Sequence, residues 1–445
     1  MAQARPSAET EQLQALLRGR DFRRLLLVSA LVGVPVSLVA FGFVSLEHWL
    51  QHGVWQWLPQ QLGWSGPPWW WPLPALLLAG ILVALVVTFL PGNGGHVPAH
   101  GLGMTATTPA ALPGIFLAAI AGLPLGAVLG PEAPLMALGS GLALLGVERV
   151  RPDLPPQARN VLGASGAAAA ISVIFGNPLV AGVLLIEAAG VGGPQLSLLL
   201  LPCLLASGVG ALVFTGFDHW SGFGIGALNL PTVPPDHTPS AGDFLWGVPL
   251  AVLIACCMVP SVRLSGRLAG LVERRTVLLT VACATAVGGC AAVYALATGR
   301  SSQEAVLSGQ ATLAQLAATP HAWSVAALLA LVVLKGVGWI LSMGSLRGGP
   351  IFPSLFLGSA LATLLVGVPG FGPAPALAVG LAAGSAAVLR LPLTAVVLAT
   401  LLLGKDAPDE LPLVIVSAVV SFVTGELLRA APSARALLAR RSSHR

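Results

Sequence analysis

The sequence predicts an all-α, polytopic membrane protein made of two repeated halves, and three observations support this fold class. Hydrophobic residues make up 56% of the 445 residues and charged residues 9%, whereas a soluble domain carries about 25% charged residues. No Lys or Arg occurs between Arg24 and Arg149 or between Arg159 and Arg263, and each gap is long enough for several spans of about 20 residues. The third observation is a repeat of the motif GPxxPxxxLGS.

Apolar runs follow one another along the chain and predict its helices. They cover 25–47, 73–90, 110–129, 134–147, 160–189, 194–215, 244–260, 277–298, 323–345, 351–368, 374–403 and 411–428. Several are shorter than a full span or are broken by Gly and Pro, as at FGNPLVAG (175–182) and VLRLPLTAV (388–396). Broken helices at membrane depth are tolerated only where the backbone lines a cavity or is buried in protein. This pattern is typical of transport proteins.

The repeat aligns two segments without a gap. GPEAPLMALGS (130–140) matches GPIFPSLFLGS (349–359) at an offset of 219 residues, and the small-residue segment 163–179 has a counterpart in 380–393. Proteins built in this way place their substrate between the halves, with the N-termini of half-helices aimed at anions. We therefore expect a first transmembrane repeat at 25–215, a connecting loop at 216–244 and a second transmembrane repeat at 245–430.

Basic residues cluster at the edges of the apolar runs and predict the orientation. The clusters lie in 5–24, 149–159, 263–275 and 429–445, so the positive-inside rule places both termini in the cytoplasm. We expect 1–24 to be a cytoplasmic leader rather than a cleaved signal peptide, and 431–445 a basic cytoplasmic tail without a regulatory domain. The predicted location is the cell (plasma) membrane, with the lipid bilayer and not nucleic acid as a partner.

Two acidic residues sit clearly within apolar segments, Glu132 and Glu187. An ionisable group inside a membrane costs at least about 2.5–3.5 kcal/mol, so such residues usually line a polar path or are paired. The prolines around Glu132 predict that a helix begins there. A helix start that favours this carboxylate also favours a small anion. The alternatives are a purely structural helix-start residue for Glu132, and for Glu187 a side chain that only faces a vestibule.

Four segments, in order along nearly the whole chain, resemble the CLC family of chloride channels and chloride/proton exchangers. GPEAP is similar to the family's GREGP signature, and 158–182 to its segment ending in FNAPLAG. SLRGGPIFPSLFLGS (345–359) resembles the GGIFAPSL stretch, and 389–420 the penultimate region. The resemblance implies a divergent, bacterial-type member with a CLC-like fold of two inverted-topology repeats, broken and re-entrant helices, and a homodimeric assembly.

The resemblance also implies the site. Glu132 stands at the gating glutamate. The implied anion-binding residues come from three stretches: Asn93, Gly94, Gly95 and His96; Gly130, Pro131 and Ala133; and Gly349, Ile351 and Phe352. The family's GSGIP loop reads PGNGGHVPA (91–99) here, without its serine, and the arginine of GREGP is Pro131. The only tyrosine is Tyr294, so the family's pore tyrosine has no counterpart, and Ser433 is the one candidate on the C-terminal stretch.

The predicted function is transmembrane transport of chloride or a similar anion, and passive, channel-like conduction is favoured. Exchanging members carry an inner acidic pair, whereas Glu187 is followed here by Ala188. Because the extra Val180 allows a shift that restores Glu187 to the proton path, a proton-coupled exchanger of chloride, fluoride or nitrate is the alternative. A membrane-embedded enzyme is a distant alternative, since no hydrolase motif occurs.

Other candidate chemistry is thin. His96 and His100 lie four residues apart, but Pro98 separates them and no third ligand is near; we expect no metal site and no cofactor. Lys335 and Arg347 precede the second copy of the motif. They are interpreted as interfacial side chains whose charged heads reach water, the alternative being attraction of anions into a vestibule.

Overall fold

The computed structural model describes residues 17–103, 106–190, 193–221, 230 and 239–430. Within these ranges the chain is nearly all helical and has no β-strand beyond one isolated bridge. Eight helical stretches of the described residues are long and apolar enough to cross a membrane, and four apolar helical stretches of 10–17 residues accompany them. The all-α, polytopic prediction is confirmed.

The helices are numbered in chain order. They are α1 Arg20–His52, α2 Leu58–Gln61, α3 Pro72–Phe89, α4 Leu112–Gly122, α5 Glu132–Val150, α6 Pro156–Phe175, α7 Pro178–Ala189, α8 Gly193–Ser221, α9 Ala241–Val272, α10 Thr276–Thr298, α11 Gln310–Ala318, α12 Val325–Ser345, α13 Ile351–Thr363, α14 Pro373–Leu389, α15 Pro392–Leu403 and α16 Ala407–Ala430. Helix α1 begins at Arg20, inside the segment predicted as a leader, and both ends of the predicted loop 216–244 are helical, because α8 runs to Ser221 and α9 begins at Ala241.

Both predicted breaks occur in the structure. The run 160–189 divides into α6 and α7 at Gly176, whose φ of 60° is left-handed, and Asn177 caps α7 by accepting a hydrogen bond from the Leu179 amide at 2.8 Å. The run 374–403 divides into α14 and α15 at Arg390, also left-handed with φ 61°. A left-handed residue ends an α-helix because the chain can no longer continue its hydrogen-bond ladder.

The two halves meet at a pair of glycines. Gly130 and Gly349 form an antiparallel bridge, with the Gly130 amide 2.8 Å from the Gly349 oxygen and the Gly349 amide 2.6 Å from the Gly130 oxygen. The helices α5 and α13 begin two residues after these glycines, so their first residues are 219 positions apart. Because the bridge is antiparallel, the two helices leave it in opposed directions, in keeping with inverted-topology repeats.

In each half, the helix that begins at the repeated motif packs against the following helix through small residues. In the first half Gly139 of α5 lies against Gly166 of α6, and in the second half Gly358 of α13 lies against Gly380 of α14. A Cβ at any of these glycines would overlap the facing backbone. Close backbone approach through small residues is a common way for helices to associate in membranes. This packing fixes α5 and α13, and hence the site between their first turns.

Candidate anion site

Glu132 is the first residue of α5 and is completely buried. Pro131 precedes it in the cap position, and Pro134 follows within the first turn, where the missing amide hydrogen costs the helix nothing. The sequence-based prediction of a helix start at this acid is confirmed. The side chain does not stay on its own helix but reaches across to the second half.

The first turn of α13 holds the Glu132 carboxylate. The Phe352 amide donates a hydrogen bond to Oε1 at 2.7 Å, and the backbone amides of Ile351 and of Glu132 itself also approach the carboxylate. The first amides of a helix have no partner within the helix and carry its positive dipole end. The carboxylate therefore occupies a position where backbone N–H groups would bind a small anion equally well.

Two glycines form the walls of this position. A Cβ built on Gly349 would overlap Oε2 of Glu132, and a Cβ on Gly130 would meet both carboxylate oxygens. Neither glycine has a positive φ, so the space and not the backbone conformation calls for glycine. Oε2 is buried and accepts no hydrogen bond from any described residue. The carboxylate is thus held through Oε1, whereas Oε2 has no hydrogen-bond partner among the described residues.

The predicted anion-binding residues fall into two groups: six lie at the starts of α5 and α13, and four belong to the loop 91–99. Gly130, Pro131, Ala133, Gly349, Ile351 and Phe352 converge on the carboxylate. The Phe352 ring packs on Phe175 at the end of α6, with ring centroids 5.4 Å apart. Phe175 was not singled out from the sequence, although it is the first residue of the FGNPLVAG break. It covers the site from the side of the first half.

The loop 91–99 lies against α4 and Arg347. Gly94 approaches Ala118, Gly95 approaches Ile115, and the Asn93 carbonyl accepts a hydrogen bond from Arg347 Nε at 3.2 Å. The side chain of Asn93 is exposed. No hydrogen bond joins this loop to Glu132 within the ranges that the structure describes, so Arg347, two residues before Gly349, is the link between them.

His96 lies at the exposed edge of the same loop, against Gly103 and with its ring centroid 6.3 Å from that of His100. Partial desolvation lowers the pKa of the imidazole below its ordinary value of 6.5, and the nearby Arg347 charge acts in the same direction. The ring is therefore neutral at pH 7, and it offers the loop a polar N–H but no positive charge.

Glu187 lies away from Glu132, between α7 and α15. Its Oε1 accepts from the Leu393 amide at 2.7 Å, and its Oε2 accepts from the amide and the hydroxyl of Thr394 at 2.6 and 2.7 Å. The carboxylate caps the start of α15, which belongs to the other half, and it is stabilised by the N-terminal amides there. Ser433, the remaining candidate, lies outside the described residues.

Two expectations about charged residues were wrong. Lys335 and Arg347 do not reach water: Lys335 is fully buried and donates to the carbonyls of Glu304 and Val306 at 2.9 and 2.6 Å, and Arg347 is 8% exposed. The second wrong expectation is that only Glu132 and Glu187 lie within apolar segments. Glu47, near the end of α1, is also buried, with 7% of its surface exposed. Its position at the last residue of an apolar run was the available signal.

A buried carboxylate held by the helix start of the opposite half, within a membrane-spanning fold of two inverted repeats, defines a membrane protein of the anion-transport class. The chain matches the model of the voltage gated chloride channel family over residues 94–426 and belongs to that family. The CLC resemblance of the sequence is confirmed.

Curated relatives are ion-transport proteins of enteric bacteria. The YfeO ion-transport protein of Salmonella paratyphi A is 29% identical over 356 residues, which cover 78% of this chain and 82% of the relative. The YfeO protein of Shigella boydii serotype 4 is 28% identical over 352 residues, covering 78% of this chain and 80% of the relative.

Solved structures share the fold. A slow cyanobacterial Cl⁻/H⁺ antiporter superposes with a TM-score of 0.74 at 18% identity, covering 94% of this chain and 98% of the other. A CLC-type fluoride/proton antiporter gives a TM-score of 0.67 at 18% identity, over 90% and 95% of the two chains. A eukaryotic CLC transporter gives 0.68 at 18% identity, over 91% and 72%.

Proposed function

We propose that this protein conducts chloride or a similar small anion passively across the cell membrane, with Glu132 as the gate. The observation that carries the proposal is the hydrogen bond from the Phe352 amide to Glu132 Oε1 at 2.7 Å. This hydrogen bond places the Glu132 carboxylate at the backbone amides that would otherwise bind the anion. The gate is closed while the carboxylate occupies these amides and open once it has left.

Opening requires the carboxylate to be displaced or protonated. The incoming anion takes over the amides of Ile351 and Phe352, and the glycine walls at 130 and 349 leave room for it. Arg347 adds a buried positive charge two residues before Gly349, which favours an anion on this path. In this proposal Asn93, Gly94, Gly95 and His96 form the access to the site and not its centre.

Passive conduction is favoured because the inner acid is engaged elsewhere. Both carboxylate oxygens of Glu187 accept hydrogen bonds from the start of α15, and the next residue in the chain is Ala188 and not a second acid. Proton-coupled exchange is the second candidate. The antiporter character of the cyanobacterial and the fluoride/proton neighbours favours it.

Anion efflux from proteoliposomes, with external pH recorded, tests the proposal. Chloride efflux without proton uptake supports passive conduction, and proton movement driven by the chloride gradient supports the exchanger. Flux of fluoride or nitrate without chloride flux would support the same pathway with a different transported anion. The variant E132Q is neutral and mimics the protonated gate, so it is expected to keep a high flux that is nearly independent of pH.

The matched control is E148Q. Glu148 is an acid on the same helix, paired with Arg159 at 2.5 Å and far along α5 from the first turn. It is expected to behave as wild type. Wild-type pH dependence in E132Q would contradict the gating role of Glu132.

The proposal includes a homodimer with both termini in the cytoplasm. A stripe of exposed apolar residues runs along α16 at every fourth position, and it suits a second copy of the chain as well as lipid. The stripe consists of Ile415, Val419, Val423 and Leu427. Photobleaching of single labelled particles in a bilayer counts the subunits, and labelling of either terminus in sealed cells tests the orientation.

A further inference from the structure

Glu47 is a second buried carboxylate beside the gate. It lies one turn before the end of α1, is 7% exposed, and is close enough to Glu132 for the two charges to interact. Its position on α1 gives it no role in the first turn of α5 or α13. Neither the family motifs nor the anion-binding stretches include it.

A cavity of about 350 Å³ lies beside Glu47 and extends to the segment that leads into Glu132. Its lining includes Glu47 and Pro131, the residue just before Glu132. More than half of the remaining lining residues are neutral and polar: Gln51, Gln56, Ser301, Gln303, Ser308, Gln310, Thr312 and Gln315. A polar lining of this kind holds water, so protons from the adjoining solution reach Glu47 and the face of the gate along the same cavity.

The charged groups around the cavity single out Glu47. Glu304 also lines it, but Glu304 is bound by Arg300 at 2.9 and 3.0 Å and by the Tyr294 hydroxyl; this pairing raises the pKa of Arg300. Lys335 donates to the carbonyls of Glu304 and Val306, lies over the Phe356 ring, and interacts electrostatically with the Glu304 carboxylate. Among the described residues, the imidazole of His48 is the basic group paired with Glu47, with its Nε2 3.9 Å from Oε2.

We propose that Glu47 is a proton-binding residue that supplies protons from this cavity to Glu132 and makes anion flux depend on the pH at that membrane face. The inference rests on the proposed pathway at Glu132. Two nearby carboxylates that are both buried in protein resist being ionised together, so a proton bound by one is shared by both. The step is a simple transfer: the Glu47 carboxyl releases its proton, and the free Oε2 of Glu132 receives it.

The sign of the pH effect follows. At high pH on the cavity side, Glu47 is ionised, its charge repels an arriving anion, and Glu132 stays on the Phe352 amide. At low pH, Glu47 is neutral, the repulsion is gone, and the gate is protonated and leaves. Flux therefore rises as the pH at this face falls, by at most about tenfold per pH unit for each proton bound. The pH at the opposite face has a much smaller effect.

Flux measured with pH set on one face at a time tests this inference. We expect E47Q, which cannot pass a proton to Glu132, to keep the flux near its high-pH level and to reduce the acid activation to about twofold or less. E47D keeps a titrating group and is expected to keep the activation with a displaced midpoint, which separates a proton role from a packing role. In E47Q/E132Q the effects should not add, because both residues act in one proton path. A wild-type pH profile in E47Q would overturn the inference.

A second measurement does not need transport. In E132Q, infrared difference spectra recorded during a pH titration should contain a carboxyl band that is absent from E47Q/E132Q, which assigns the band to Glu47 among the buried acids. If the band is lost but no variant conducts anions, the proposed function is wrong, whereas the assignment of Glu47 as a proton-binding residue stands. If anions are conducted but the band is unchanged in E47Q/E132Q, the proposed anion transport stands and the role of Glu47 is wrong.

Discussion

The amide nitrogen of Phe352 lies 2.7 Å from Oε1 of Glu132, although the two residues are 220 positions apart in the chain. The acid belongs to the first half and the amide to the second. Each half therefore supplies one side of the contact that we propose as the gate, and neither half contains it alone. Variants on either side of this contact are expected to change the gate.

Gly349→Ala is expected to drive the Glu132 carboxylate off its site. The added Cβ would overlap Oε2, a movable side-chain atom, while the backbone conformation suits alanine. We expect severalfold higher anion flux with a weak dependence on pH, as in E132Q. Gly336→Ala is the matched control, because a Cβ there meets nothing within 4 Å. An intact G349A protein with wild-type gating would show that the carboxylate does not occupy this position in the closed state.

Glu187→Ala is expected to destabilise the protein without changing proton movement. The variant loses three hydrogen bonds that cap α15, and the loss of a helix cap costs about 1 kcal/mol, up to about 2. Thr394→Val removes only the hydroxyl bond, and its fall in melting temperature should be smaller. The readouts are thermal melting in detergent and proton flux in proteoliposomes. Unaltered melting together with lost proton flux would instead assign Glu187 to a proton path.

Gly139→Ala is expected to loosen the contact between α5 and α6. The new methyl group would overlap the backbone of Gly166, and overpacking of this kind costs typically about 1–3 kcal/mol. Gly146→Ala on the same helix is the control, since a Cβ there meets nothing within 4 Å. Comparison of the two melting temperatures measures the effect. Equal melting temperatures of the two variants would show that the added methyl group meets no close neighbour, which would contradict the close packing of α5 and α6.

Arg347→Gln is expected to reduce chloride flux roughly tenfold, equivalent to about 1.4 kcal/mol of lost stabilisation of the anion on its path. The variant removes a buried positive charge and the hydrogen bond that holds the Asn93 carbonyl. Arg347→Lys keeps the charge and should recover part of the flux. Arg159→Gln, which breaks only the partly exposed pair with Glu148, is the control. Full flux in R347Q at wild-type protein levels would remove Arg347 from the pathway.

The fold was predictable because membrane helices leave strong marks in a sequence. The long apolar runs, the repeated GPxxPxxxLGS motif and the breaks at FGNPLVAG and at VLRLPLTAV all correspond to described elements. Helix ends were less predictable. Arg20 already belongs to α1 although it is charged, because a helix continues beyond its apolar run into polar sequence.

The site was predictable only where it follows the motif. Glu132, Gly130 and Gly349 lie within the repeat, and their proximity could be expected from it. Glu47 and Lys335 could not be placed in this way. Each lies on a helix that carries no motif, and whether its charge meets water, a carbonyl or another acid depends on contacts between distant segments.

The bridge between Gly130 and Gly349 limits how the protein can move. Many carriers built from repeats expose their site by rigid-body rocking of one half against the other. Here the segments that lead into α5 and α13 are tied by two backbone hydrogen bonds at the centre of the molecule, together contributing about 1–3 kcal/mol. Rocking would have to break this ladder in every cycle. Rotation of a single side chain leaves it intact, so the gating movement that we propose for Glu132 requires no movement at the Gly130–Gly349 contact between the halves.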